Sequence, residues 1–116
     1  MELKKKKCQP HSNEKAPPLE IKDEEELIGN LVNWDISRHK EHKLVKTVRA
    51  ETFMDAVAVL NEIALLAQKE EHHPDLHLHY NRLTIEMYTH TICGLSENDF
   101  IMAAKIDEIL EGRHLL

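Results

Sequence analysis

The chain has 116 residues, of which 41% are hydrophobic and 31% are charged, and its formal net charge is −6. This length accommodates one small domain, and no apolar run approaches the roughly 20 residues that a membrane-spanning helix needs. Basic residues outside the run Lys4 to Lys7 are interspersed with acids. The sequence therefore predicts neither a membrane protein nor a direct nucleic-acid partner.

The first 20 residues combine the lysine run with three prolines and few apolar side chains. Such a segment buries too little apolar surface to order alone, so residues 1–20 are predicted to form a flexible tail and residues 21–116 a single domain. The basic start lacks the apolar stretch of a secretory signal, and the only cysteines, Cys8 and Cys93, do not suggest a disulfide framework. We therefore expect a cytoplasmic protein.

The first two predicted helices are identified by their capping residues and apolar spacing. A short helix is predicted from Asp23, a capping acid that is followed three residues later by Glu26. A longer helix is predicted from Thr52, with Asp55 three residues on, and it must end a few residues before Pro74. Its apolar stripe is wider than one sheet face covers, so we expect part of it to contact another subunit.

The remaining elements complete an α+β pattern. Alternating and β-branched residues predict two short strands within residues 34–50, and a hairpin is predicted within residues 76–89. A third helix is predicted from the cap Ser96, with Asp99 at its third position, to Gly112. The order α-β-β-α-β-β-α favours a four-stranded antiparallel sheet with the helices on one face.

Four of the nine histidines lie in the stretch EEHHPDLHLHY, between the second helix and the hairpin. If Asn81-Arg82 is a two-residue loop, pairing of the strands places Pro74 opposite Thr89 and His73 opposite His90. Such a cluster at a helix-strand junction suits proton transfer near neutrality, because imidazole has a pKa of about 6.5. From the residues alone, an acid-base cluster and ordinary surface histidines are both open interpretations.

Metal binding is the third interpretation of these histidines. His77 and His79 share one strand face, as an H-x-H metal pair would. The same register, however, puts His77 opposite Glu86, on the order of 13 Å from His90 at about 3.3 Å per residue. The sequence therefore predicts no metal site, and His77 and His79 are interpreted as surface residues.

The sequence HHP, followed by the tight turn YNR and then by THTICGLSENDFIMAAKID, resembles the pterin-4a-carbinolamine dehydratase family. The resemblance extends from about Pro17 to Leu110 and includes PPL, Trp34 and TFMDAVAVLNEIALLAQ. It implies a small α+β subunit that forms a homodimer or homotetramer. It also implies catalysis without a metal or an organic cofactor.

The resemblance further implies which residues form the site. The catalytic histidines of the family fall on His72, His73 and His90. Its pterin contacts fall on these and on four neighbours: Pro74, Thr89, Thr91 and Ile92.

Acids near the site are only partly retained. Glu71 and Asp99 keep supporting acids at two positions, whereas Gln68 replaces an acid that many members carry. This difference affects the pKa values of the histidines more than it affects the reaction itself.

The implied reaction is dehydration of 4a-hydroxytetrahydropterin to quinonoid dihydropterin. One histidine would donate a proton to the departing hydroxyl and another would accept the N5 proton. We favour His72 and His90 for these two roles, in either order, and His73 for orienting the pterin. The alternative is a non-catalytic interaction or assembly factor, since animal relatives resemble dimerisation cofactors and some bacterial relatives resemble Rubisco assembly factors without the catalytic histidines. All three histidines are kept here, which favours an enzyme.

Overall fold

The computed structural model describes residues 2–8 and 17–116. Three helices and four strands follow in chain order: α1 (Ile21–Ile28), β1 (Asp35–Ser37), β2 (Lys43–Arg49), α2 (Phe53–Glu70), β3 (Asp75–His79), β4 (Arg82–Met87) and α3 (Glu97–Gly112). Short 3-10 turns lie at Leu3–Lys5 and His90–Ile92. The order confirms the predicted α+β fold. None of the helices in the described ranges has the length and apolar character needed to cross a bilayer.

The four strands form one antiparallel sheet in the order β1-β2-β4-β3. Alternate residues of the two central strands, among them Leu44, Val48, Leu83 and Ile85, are buried. They belong to one core with apolar residues of α2 and α3. The helices therefore cover one face of the sheet, and the intervening side chains lie on the other face.

Two helix starts agree with the predicted caps. The hydroxyl of Thr52 accepts a hydrogen bond from the Asp55 amide at 3.1 Å, and Ser96 and Asp99 form a reciprocal capping box. The predicted start of α1 at Asp23 is wrong, because Glu20 is the N-cap and Asp23 is the third helical residue of that capping box.

The hairpin register differs from the predicted one by two residues. His79 pairs with Arg82 and His77 with Thr84, so the loop residues are Tyr80 and Asn81. The Asn81 side chain donates to the Ala50 carbonyl at 2.9 Å, while the Ala50 amide donates to the Asn81 carbonyl at 2.8 Å. These two bonds tie the loop to the chain just beyond β2. A displacement of two residues keeps each side chain on its predicted face.

The predicted strand pairing next to the histidines is also wrong. Because β4 ends at Met87, His73 is not a strand partner of His90, and Pro74 is not a partner of Thr89. Thr89 instead forms an isolated bridge with Gly94.

Residues 2–8 lie against the domain, although they belong to the segment that was predicted to be a flexible tail. Leu3 is buried in the core, and the Lys6 ammonium lies 3.0 Å from a carboxylate oxygen of Glu97 on α3. The Cys8 amide donates to the Glu70 carboxylate at 2.9 Å. Burial, together with that carboxylate, raises the pKa of the Cys8 thiol to about 12. The rest of the predicted tail up to residue 16 lies outside the described residues.

Candidate active site

The end of α2 determines how the first two site histidines are presented. Glu71, the C-cap, adopts the left-handed conformation with φ 54° and ψ 38°, and its amide bonds to the Ala67 carbonyl. This residue reverses the chain direction directly before His72 and His73, and Pro74 prevents the helix from continuing. One of the two histidines is buried and the other is exposed.

His72 lies inside the domain. Its side chain is only 9% exposed, and Nε2 donates a hydrogen bond to Asp99 Oδ1 at 2.7 Å. Asp99 is fully buried at the third position of α3. The carboxylate fixes the orientation of the imidazole and, when the ring is neutral, places its hydrogen on Nε2.

The other oxygen of Asp99 extends this contact into a network. Oδ2 accepts from the Thr89 hydroxyl at 2.7 Å and from the Ser96 amide at 2.9 Å. The hydroxyls of Thr89 and Ser96 lie 2.9 Å apart, and Thr89 is 3% exposed. One carboxylate therefore caps α3, holds His72 and fixes the residue that precedes His90.

His73 is exposed and has a different kind of partner. Its Nε2 lies 2.7 Å from Oε1 of Gln68, a residue in the last turn of α2. The amide oxygen accepts from the ring N–H, so the acceptor that holds this histidine is neutral. Sequence reasoning identified Gln68 only as a missing acid.

His90 is the first residue of the 3-10 turn and is exposed. Its ring lies against Tyr88, with ring centroids 4.5 Å apart and planes at 86°. Sequence reasoning did not identify Tyr88, because a residue next to a strand end carries no pattern that marks such a contact.

A close approach of two chain segments holds the loop that follows His90. A Cβ on Gly94 would lie 2.7 Å from Pro18 Cβ, a distance too short for any larger residue without a shift of the chain. The Leu19 amide also donates to the Leu95 carbonyl at 2.9 Å. The segment before α1 thus packs on the loop that carries His90.

The other predicted site residues are placed in varied environments. Pro74 is half-buried, Thr91 is exposed, and Ile92 is 9% exposed. Glu71 is exposed, and its carboxylate makes no hydrogen bond or ion pair within the described ranges. Of the two predicted supporting acids, only Asp99 contacts a site histidine.

Among the remaining histidines of the described ranges, two lie on the outer face of the sheet. His77 and His79 lie on the sheet face away from the helices, and His77 Nε2 is 3.4 Å from Glu86. Within residues 2–8 and 17–116, no group of three or more histidine, cysteine, aspartate or glutamate side chains is arranged to hold a metal ion. His42 is half-buried and lies 2.6 Å from Glu24.

The geometry defines a class of protein: a small α+β domain with an imidazole-carboxylate pair at a helix-strand junction, suited to acid-base chemistry. The family model described as pterin 4 alpha carbinolamine dehydratase matches residues 17–109. A relative from Rickettsia bellii is 43% identical over 105 residues, which cover 90% of this chain and 91% of that protein. Pterin-4-alpha-carbinolamine dehydratase 2, mitochondrial, from Arabidopsis thaliana is 36% identical over 110 residues, which cover 93% of this chain and 59% of that protein.

A solved structure has the same fold. The transcriptional coactivator/pterin dehydratase from Brucella melitensis superposes with a TM-score of 0.74 at 28% identity, and the match covers 79% of this chain and 97% of that one. The chain belongs to the pterin-4a-carbinolamine dehydratase family, a family of hydro-lyases. The family and the enzyme class predicted from the sequence are thereby confirmed.

Proposed function

We propose that the protein dehydrates a 4a-hydroxytetrahydropterin to quinonoid dihydropterin, in tetrahydropterin recycling, with its own imidazoles as acid and base. The observation that carries this proposal is the buried bond between His72 and Asp99, beside exposed His73. Thr89 extends the same network to the residue before His90. Family membership supports the substrate class, and these contacts support the mechanism.

The chemistry needs two proton transfers. The C4a–O bond breaks while an acid protonates the departing oxygen, so that water leaves. The N5–H bond breaks toward a base, and its electron pair forms the C4a=N5 double bond. One proton enters and one leaves, so imidazoles supply both steps without a metal or an organic cofactor.

We propose separate roles for the three imidazole rings. His72 and His90 are the acid and the base, in either order, and His73 orients the pterin. The substrate contacts are proposed to lie on His72 to Pro74 and Thr89 to Ile92. The bond to Asp99 and the contact with Tyr88 each support one of the two rings that transfer protons.

The test replaces both proposed proton-transfer groups with alanine. His72→Ala/His90→Ala should lower dehydration toward the buffer rate, because acid-base catalysis of this kind contributes roughly 10²- to 10⁴-fold. Because His72 is buried, His90→Ala alone provides a variant with an intact interior. The double variant His77→Ala/His79→Ala, on the outer sheet face, is the matched control. Wild-type turnover in a folded His72→Ala/His90→Ala protein would overturn the mechanism.

We also propose that the protein forms a homodimer or homotetramer through α2. Three apolar side chains of this helix are exposed in the single chain: Phe53 by 44%, Met54 by 66% and Leu65 by 72%. Burial of such side chains is the ordinary driving force for association. Met54→Glu/Leu65→Glu should reduce the mass measured by light scattering, and an unchanged oligomer would exclude this face.

A cytoplasmic location is proposed on the chemistry of the cysteines. Both Cys8 and Cys93 are free thiols, as is typical of proteins in a reducing compartment. Fractionation of cells that express the tagged protein tests this location.

A second role as an interaction factor is the alternative. The Brucella melitensis protein is described as a transcriptional coactivator as well as a pterin dehydratase. The exposed apolar residues of α2 support a protein partner in the same way as they support self-association. A pulldown from native extract, run beside the dehydration assay, separates the two roles.

A further inference from the structure

Tyr88 occupies an unusual position for a large aromatic residue. It follows β4 directly, and the strand register continues to place it opposite Lys43, on the sheet face turned away from the helices. Residues on that face are mostly exposed or half-buried, yet Tyr88 is only 9% exposed. Its burial must therefore come from the neighbouring loops and not from the core.

Two side chains contact the ring of Tyr88. The Lys43 ammonium lies over it, 5.4 Å from the centroid, and the His90 ring meets it at 86° with 4.5 Å between centroids. Burial raises the pKa of the Tyr88 phenol, and the Glu41 carboxylate and the Cys93 thiol raise it further. The phenol thus stays neutral at any physiological pH.

Few other contacts restrict the orientation of the His90 ring. It is exposed, and its nitrogens make no hydrogen bond or ion pair to the described parts of the chain. The backbone of the 3-10 turn fixes its Cα, but a side chain needs a contact of its own to stay in one rotamer. The perpendicular contact with Tyr88 is the ring contact that the structure provides, and perpendicular packing is a preferred geometry for two aromatic rings.

The loop between β1 and β2, which carries Glu41, is itself anchored. Glu24 of α1 is fully buried, and its carboxylate lies 3.0 Å from Arg38 Nη2 and 2.6 Å from His42 Nδ1. Arg38 and His42 flank Glu41, and Lys43 follows. The buried carboxylate therefore fixes both ends of the loop that carries Glu41, whose charge acts on the Tyr88 phenol.

We propose that Tyr88 is a positioning residue, which holds the His90 imidazole in the orientation that the proton transfer needs, with the loop between β1 and β2 as its support. This inference rests on the proposed dehydration. The aromatic edge carries the effect, and the hydroxyl is secondary. Tyr88 itself transfers no proton.

The experiment compares Tyr88→Leu with Tyr88→Phe. Loss of a perpendicular aromatic contact corresponds to roughly 2- to 13-fold in rate. We expect kcat of Tyr88→Leu to fall about 3- to 10-fold with KM within twofold, and Tyr88→Phe, which retains the ring, to stay close to wild type. Tyr80→Leu is the matched control, because Tyr80 is 71% exposed in the hairpin loop.

A second measurement reports the contact without catalysis. The ring nitrogen and carbon-bound proton resonances of His90, assigned with His90→Ala, should move in Tyr88→Leu and not in Tyr80→Leu. If Tyr88→Leu does not fold, Tyr88→Met, an unbranched apolar replacement, takes its place. Wild-type kcat together with unchanged His90 resonances in the folded variant would overturn the inference.

The outcomes also separate this inference from the proposed function. A wild-type protein without dehydratase activity would overturn the proposed function, and with it the effect of Tyr88 on the reaction. An active wild type with an unaffected Tyr88→Leu would overturn the positioning role alone.

Discussion

Replacement of Asp99 by asparagine tests the network that holds His72. One carboxylate oxygen accepts from His72 Nε2 at 2.7 Å, and the other accepts from Thr89 and Ser96 at 2.7 and 2.9 Å. Asparagine offers one oxygen and one NH₂ group. With its oxygen toward Thr89 and Ser96 it keeps two donors satisfied, so this orientation is favoured and the NH₂ group faces His72.

In that orientation, His72 Nε2 must accept a hydrogen bond instead of donating one. A neutral ring must then carry its hydrogen on Nδ1, and a protonated ring would direct an N–H at the NH₂ group. The loss of one charge-assisted bond costs roughly 1.5–3 kcal/mol, which at about 4 °C per kcal/mol lowers Tm by roughly 6–12 °C. On the proposed mechanism kcat falls by roughly 10²- to 10⁴-fold, the range that acid-base catalysis supplies.

Asp107→Asn is the matched control for Asp99→Asn. Asp107 is a buried carboxylate of the same helix, and it accepts from Trp34 Nε1 at 2.8 Å, Lys46 Nζ at 3.0 Å and the Val32 amide at 2.9 Å. This variant should lose a similar or larger amount of stability, yet retain kcat per folded molecule. Stopped-flow absorbance of the carbinolamine gives kcat, and circular dichroism gives Tm. Equal kcat values for the two variants would refute the reasoning.

Three further predictions concern Gln68 and Cys8. Gln68→Ala removes the hydrogen-bond acceptor of His73 and should lower kcat/KM about 2- to 10-fold in the same assay. The control Lys69→Ala should leave kcat/KM unchanged. Equal kcat/KM values for the two variants would show that the bond is dispensable. Iodoacetamide at pH 8 should modify exposed Cys93 and leave Cys8 until denaturant is added, because the Cys8 pKa is raised to about 12; mass spectrometry showing equal labelling would contradict this. Since that pKa lies above its ordinary value of 9.0, the neutral thiol favours the folded state below pH 9, and this contribution is lost between about pH 9 and 12, as urea titrations against Cys8→Ser would show.

The features predicted correctly from the sequence are those that depend on neighbouring residues. The caps at Thr52 and Ser96 act within three residues, so a local pattern is enough to find them. The hairpin register depends on bonds between Asn81 and Ala50, 31 residues apart, and no local pattern reveals them. For the same reason the bond from His72 to Asp99, across 27 residues, follows only from the fold.

The N-terminal segment contains a charged run whose contacts no local pattern reveals. Four consecutive lysines resemble a solvated tail, because each charge is expensive to bury. In the structure, Lys6 pairs with Glu97, the Lys105 ammonium donates to the Lys4 carbonyl, and Leu3 supplies apolar burial. The α3 residues that make these contacts, Glu97 and Lys105, lie 91 and 101 residues further along the chain, so the lysine run cannot be interpreted without them.

The three imidazoles of the site differ in what holds them, and this difference bears on their roles. A buried carboxylate holds His72, a neutral amide holds His73, and an aromatic ring contacts His90. A carboxylate stabilises a charged partner more than an amide does, and an aromatic contact restricts orientation while leaving the ring nitrogens to the substrate. The rings are therefore not interchangeable. The double variant Asp99→Asn/Gln68→Glu moves the carboxylate from His72 to His73, and it should not restore the rate. Recovery of the rate in this variant would mean that the site needs a carboxylate beside any one of its histidines and not beside His72 in particular.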